Sequence, residues 1–154
     1  MIAVRRLLAV LALAVAVAVL AAAPGGAQTA STKCTAFAVL KPGNEVPPTT
    51  SRTSGAALVH INGNRVSFTV AIANPERERF VAGHIHVGAA GENGGVVVPL
   101  FSGSSNRRLF TQFDTVTTTA DTAAICGNLA GHYVNYHTEL FPGGALRGQL
   151  VKLF

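Results

Sequence analysis

From residue 65 to 73 apolar and polar side chains alternate: Val66, Phe68, Val70 and Ile72 against Ser67, Thr69 and Ala71. A period of two puts each set on its own face of an extended chain, so the segment predicts a strand with one buried face. A second strand is predicted at 55–61, joined to the first across Asn62-Gly63-Asn64, which is strong hairpin chemistry. Similar segments follow one another from residue 33 onward. Strands are predicted at 33–40, stopping at Pro42-Gly43; at 82–87; at 96–101, limited by Pro99; at 109–119; at 133–138; and at 145–154, after the turn Phe141-Pro142-Gly143-Gly144. Segment 43–48 is a loop, because its consecutive prolines cannot donate ladder hydrogen bonds. Asn74-Pro75 ends a strand ahead of a charged connection, 76–79; 89–95 is a glycine-rich turn, 102–106 a loop, and 120–130 the one credible short helix. Seven or eight short antiparallel strands, with no helices to cover a parallel sheet, predict an all-β fold: a Greek-key-like β-sandwich or barrel.

The first 27 residues depart from this pattern. Arg5 and Arg6 precede an unbroken apolar run, 7–23, that ends at Pro24-Gly25-Gly26-Ala27. A basic start, an apolar stretch and small residues at the −3 and −1 positions make a secretory signal, cut before Gln28. A retained membrane anchor is the competing reading, since the run reaches the lower limit for crossing a bilayer. The cleavage site favours removal. The expected organisation is a signal peptide at 1–27, an N-terminal segment at 28–36 and one β-domain at 37–154. The mature protein is then secreted or extracytoplasmic, with no membrane association after cleavage.

Export changes what charge and cysteine imply. The chain has 12 Lys and Arg against 7 Asp and Glu, a net charge of +5. Two of the bases belong to the leader, which leaves an excess of three on the mature domain. Apart from Arg77/Arg79 and Arg107-Arg108 in loops, these are scattered. Nucleic-acid binding needs a clustered basic face, so no nucleic-acid partner is expected. Cys34 and Cys126 are the two cysteines of the chain, and an even pair in an exported domain predicts a disulfide.

The candidate chemistry lies in the histidines. In Gly83-His84-Ile85-His86-Val87-Gly88 the two imidazoles are two residues apart on a strand, on one face and about 7 Å apart along it, so both can reach one ion. His137 lies in Tyr133-Val134-Asn135-Tyr136-His137-Thr138, a strand rich in polar groups that a core position does not accept unsatisfied. His60, on the 55–61 strand and expected to be half-buried, and His132, at the start of the late strand, carry lower weight. Three or four neutral imidazoles suit copper first and zinc second. The one Met is the initiator and both cysteines are assigned to the disulfide, so histidine is the remaining soft ligand. The rival reading is a structural or adhesive domain in which these histidines join Glu45, Asn135, Thr138, Arg147 and Gln149 in a buried polar network. Arg147 and Gln149 share one strand face, and Glu45 is the candidate partner of Arg147. No nucleophile elbow surrounds Ser102, Ser104 or Ser105, no acid/base carboxylate pair stands out, and 91–95 lacks the Lys and helix of a phosphate loop. Enzyme activity is not expected.

Four motifs occur in order: Leu40-x-Pro42-Gly43-Asn44-Glu45-Val46-Pro47-Pro48; Gly83-His84-Ile85-His86-x-Gly88 with Gly94 and Val96-Val97-Val98-Pro99-Leu100; Tyr133-Val134-Asn135-x-His137-Thr138; and Pro142-Gly143-Gly144-x-Leu146-Arg147-Gly148-Gln149-Leu150. Together, over about residues 37–150, they resemble the CHRD (chordin) domain. The resemblance implies an extracellular β-sandwich module, with His84, His86 and His137 at its motif positions. His60 and His132 match none. Ala145 stands where the family usually has Glu, which removes a carboxylate near Arg147. The signalling role of animal chordin does not carry over to a stand-alone domain. A looser likeness joins the His-x-His strand to Cu/Zn superoxide dismutases. The chain lacks their bridging-histidine zinc loop, so dismutase activity is not implied.

Overall fold

The computed structural model describes residues 32–154; the predicted leader at 1–27 lies outside the described residues. Nine strands form two antiparallel sheets: β1 (Lys33–Leu40), β2 (Ser54–Asn62), β3 (Arg65–Ala73), β4 (Phe80–Val87), β5 (Val96–Ser105), β6 (Leu109–Thr117), β7 (His132–Thr138), β8 (Leu146–Gln149) and β9 (Val151–Lys152). One sheet has the order β6-β3-β2-β1-β9, the other β5-β4-β7-β8. The result is an open sandwich and not a closed barrel. Non-sequential neighbours (β3 with β6, β4 with β7, β1 with β9) show where the chain crosses between layers.

The β2–β3 hairpin follows its alternation. Val66, Phe68, Val70 and Ile72 are all buried, on the same inner face of the sheet as Ala57, Val59 and Ile61 of β2 and Ala36, Ala38 and Leu40 of β1. Gly63 closes the hairpin at a φ of 58°, which a side chain disfavours. From the second sheet Ile85, Val98, Leu100, Val134, Tyr136 and Leu146 complete the core between the layers. A short helix, α1 (Thr122–Gly127), has Asp121 as its N-cap, whose carboxylate accepts from the amides of Ala123 and Ala124. Its Ile125 packs into the core, and the neighbouring Cys126 is disulfide-bonded to Cys34 on β1. Among the described residues no helix is long and apolar enough to cross a membrane.

Four expectations need correction. Ser102 to Ser105, read as a loop, continues β5, with Ser102 opposite Ala82 and Ser105 opposite Phe80. That strand is the sheet's edge, which is also why it tolerates Pro99. Segment 145–154, read as one strand, is two: β8 pairs with β7 in one sheet and β9 with β1 in the other. This split raises the strand number from the expected seven or eight to nine. The charged connection at 76–79 contains a buried carboxylate, since Glu78 accepts from Ser51 Oγ at 2.7 Å and from Thr138 Oγ1 at 3.1 Å. Finally, His60 is exposed and not half-buried, because it shares the outward face of β2 with Ala56 and Leu58; its ring contacts Thr35 Oγ1 at 2.9 Å.

Candidate metal centre

The four-stranded sheet turns one face to the core and the other to a set of loops. On β4, Ile85 is fully buried in the core, so its neighbours His84 and His86 stand on the opposite face. Pairing sets Ala82 opposite His137, His84 opposite Asn135 and His86 opposite Tyr133 on β7. It then sets Asn135 opposite Arg147 and Tyr133 opposite Gln149 on β8. Opposed residues share a face, with Cβ atoms about 4.5–5.5 Å apart, so these side chains form one polar field across three strands. Every residue of β7 is nevertheless buried, because Glu45, the 88–95 turn and the 139–145 turn reach over the sheet.

Within this field His84, His86 and His137 converge, with one ring nitrogen from each lying within 4.8 Å of the others. Centroid distances are 5.4 Å for His84–His86, 5.0 Å for His84–His137 and 5.8 Å for His86–His137. The main chain orients two of the rings. His86 Nδ1–H donates to Gly94 O at 3.0 Å, and His137 Nδ1–H donates to Pro142 O at 3.0 Å. Each neutral ring therefore keeps its lone pair on Nε2. His86 Nε2 is buried without a hydrogen-bond partner, while His137 Nε2 accepts from His84 Nδ1–H at 3.1 Å. Two nitrogens bound to one ion at about 2.0–2.1 Å lie about 2.8–3.4 Å apart for bond angles between square and tetrahedral. The His84–His137 spacing of 3.1 Å already falls in that range; a spacing at the 4.8 Å limit must close by about 1.4 Å, a movement of the rings and not a repacking of the strands. A carbonyl behind a ligating imidazole is also the usual device for fixing its tautomer.

The electrostatics suit a cation ligand that is neutral before the ion arrives. Burial, then the neighbouring His137 and His86, push His84 from 6.5 down to about 4. Burial also lowers His86 and His137, against the raising effect of their carbonyl partners. Glu45 moves the other way: burial raises its carboxyl from 4.5 to about 7, opposed by Arg147 and Asn135. The signs give a pH prediction. A histidine whose folded value is depressed contributes stability above its unfolded value, and that stability is lost as pH falls through the folded value. For His84 the window runs from about 6.5 down to about 4. Glu45, with a raised value, acts oppositely, losing stability as pH climbs from 4.5 toward 7. Three histidines oppose one carboxyl, so the metal-free urea midpoint falls between pH 7 and 4.5. His84→Asn flattens that slope; an unchanged slope in the variant contradicts the assignment.

The other expected residues divide among separate sets of contacts. His132 is buried on Asn128 O at 2.8 Å, and like the exposed His60 it stands outside the cluster. Arg147 is 1 % exposed and lies 4.0 Å above the Tyr133 ring. Its guanidinium donates to Glu92 O, Asn93 Oδ1 and Ala89 O at 2.9, 3.1 and 3.3 Å. It thus holds loop carbonyls, and the expected direct pairing with Glu45 is replaced by a longer-range attraction. Gln149 Nε2 serves Gly88 O and Ala130 O. Asn135 Nδ2 reaches Glu45 Oε2 at 3.5 Å. Thr138 leaves this field altogether for Glu78 in the separate buried cluster. Sequence reasoning missed Tyr133, whose ring stacks on His86 at 5.0 Å and 7°. It also missed the carbonyls of Gly94 and Pro142. The former lies in a glycine-rich turn and the latter in a Pro-Gly-Gly turn, and such turns hide main-chain acceptors from any residue-type pattern.

Comparison with curated proteins and with solved structures finds no match. The family model of the CHRD domain, whose members are extracellular, matches residues 36–150. That span contains both sheets' strands from Ala36 to Gln149, the three histidines and the loops above them. The chain belongs to the CHRD domain family.

Proposed function

We propose that this protein is an exported CHRD-domain module that binds copper, with zinc as the weaker competitor, through His84, His86 and His137. The observation that carries the reading is His86 Nε2, a buried nitrogen with no partner whose ring is aimed by the Gly94 carbonyl toward two further imidazoles. A buried polar atom without a partner costs about 1–3 kcal/mol, and an ion at this point removes that cost. With its proton on Nε2, His84 would offer Nδ1 to the ion beside His137 Nε2, the two atoms that now share a hydrogen bond. Among divalent first-row ions copper binds such nitrogen sites most tightly. The leader at 1–27 supplies export, and the Cys34–Cys126 disulfide fits an oxidising compartment.

A metal-indifferent polar network is favoured by one observation, the His84–His137 hydrogen bond itself. Calorimetric titration with Cu(II) separates the two readings. The wild type takes up one equivalent, and the His84→Ala/His86→Ala double variant binds at least about 100-fold more weakly, since even a lost outer partner costs 10–100-fold. Equal uptake by the two proteins refutes the site.

A further inference from the structure

Two more buried acceptors beside the histidines have no partner: Asn135 Oδ1 and Glu45 Oε1. Their residues are 2 % and 4 % exposed, so solvent does not satisfy them. Asn135 lies directly opposite His84 on the adjacent strand and two residues from His137, so it borders the proposed ion position. Glu45 reaches the same place from the 41–50 loop and accepts from Asn135 Nδ2 at 3.5 Å. The space around them is kept open by Gly144. At its φ of 137°, a Cβ there would lie 2.7 Å from Glu45 Oε2 and from Asn135 Nδ2. Glu45 also lines two grooves, of about 540 and about 470 Å³, one bordered by Arg147 and Gln149 and the other by Pro142 to Gly144. Both grooves run from solvent as far as Glu45, the residue that separates them from Asn135.

Resting on the three-histidine reading, we propose that the bound ion keeps an open coordination position facing Asn135 and Glu45. A small hydroxylic ligand, water in the resting protein, fills it and donates one hydrogen bond to Asn135 Oδ1 and one to Glu45 Oε1. Structural sites close all positions with protein ligands, whereas a site with three protein ligands and a water exchanges that water for others. The two acceptors select for a ligand that carries hydrogens and oppose an anion such as azide. The histidines thus hold the ion, and the asparagine and glutamate determine what else may bind it.

The test uses Cu(II)-loaded full-length mature protein, observed by electron paramagnetic resonance and by water-proton relaxation. The wild type shows nitrogen hyperfine splitting together with enhanced relaxation from an inner-sphere water in exchange. An Asn135→Leu/Glu45→Met variant keeps the nitrogen splitting, loses at least about half of the relaxation enhancement, and binds azide about tenfold tighter, the size of effect that one charge-assisted hydrogen bond supports. Nitrogen splitting without relaxation enhancement in the wild type overturns the open position while leaving the histidine site standing. A variant with the wild type's relaxation and azide affinity overturns the roles of Asn135 and Glu45. Failure of the wild type to bind Cu(II) overturns the site and this inference together. The wild-type measurement needs no variant to fold.

Discussion

Replacing Cys34 and Cys126 together by alanine lowers the stability of the domain by about 4–5 kcal/mol on the chain-entropy account. The bridge spans 92 residues, so it closes a loop that takes in six of the nine strands, from most of β1 to β6, and most of α1. A long loop loses the most freedom in the unfolded chain when it is tied. The native contacts point the same way. Cys34 pairs with Ile61 at the start of the β1–β2 ladder, and Cys126 follows Ile125, which packs into the core. The bridge therefore fastens the helix over one end of the sandwich. A domain of this size has about 5–15 kcal/mol in total, so the loss removes about a quarter of it or more. Urea unfolding of the oxidised wild type, the reduced wild type and the double alanine variant measures the effect. A difference below about 1 kcal/mol between oxidised and variant protein contradicts the entropic account. The result also bears on location: a fold this dependent on its bridge is stable in an oxidising compartment and marginal in a reducing one.

The fold was legible where one parity of a strand is apolar and the other polar. Ser67 and Thr69 against Val66 and Phe68 leave no doubt about which face is inside. On β2 both parities are apolar, Ala57-Val59-Ile61 and Ala56-Leu58, so the face of His60 could not be read from its own strand. The partner strand decides it: His60 lies opposite Ser67, and Val59 opposite Phe68. Segment 145–154 gave no sign of its division because Leu150 is apolar and buried like a mid-strand residue. The transfer between sheets there is set by which neighbour each half finds, β7 or β1. Glu78 misled for a different reason. A carboxylate beside Glu76, Arg77 and Arg79 looks solvated, and the hydroxyls of Ser51 and Thr138 that bury it come from distant parts of the chain. At the site, the spacing His84-x-His86 placed two rings on one face, and the register of β4 against β7 brings His137 beside them. What orients the rings is main chain, and what covers them is loop. Neither leaves a mark on residue type.

Arg147→Met is expected to lose about 2–4 kcal/mol of stability and about tenfold or more in Cu(II) affinity, although the hydrogen bonds and ring contact of Arg147 go to Glu92, Asn93, Ala89 and Tyr133 and not to the three histidines. The side chain is buried, and Met matches much of its apolar bulk, so lost packing contributes little. What goes is the guanidinium. Glu92 O and Asn93 Oδ1 lose this donor, while Ala89 O keeps the Glu92 amide, and an acceptor left unpaired costs about 1–3 kcal/mol where water cannot reach it. Exposure of part of the loop to water recovers some of this, which is why the total stays below the sum. The same loop contains Gly94, whose carbonyl holds His86 Nδ1 and whose amide donates to Tyr133 Oη at 3.2 Å. Loosening it frees His86 to rotate and its tautomer to change, and an outer-shell loss of this kind weakens metal binding by about 10–100-fold. Arg147→Lys separates charge from geometry. Lysine keeps the positive charge near Glu45 but cannot serve the Glu92 and Ala89 carbonyls with one planar fork while lying flat on Tyr133. If the fork matters, lysine behaves like methionine in both urea unfolding and copper titration. If it restores both to the wild-type values, the contribution of Arg147 is its charge alone, and the loop anchors His86 without its help.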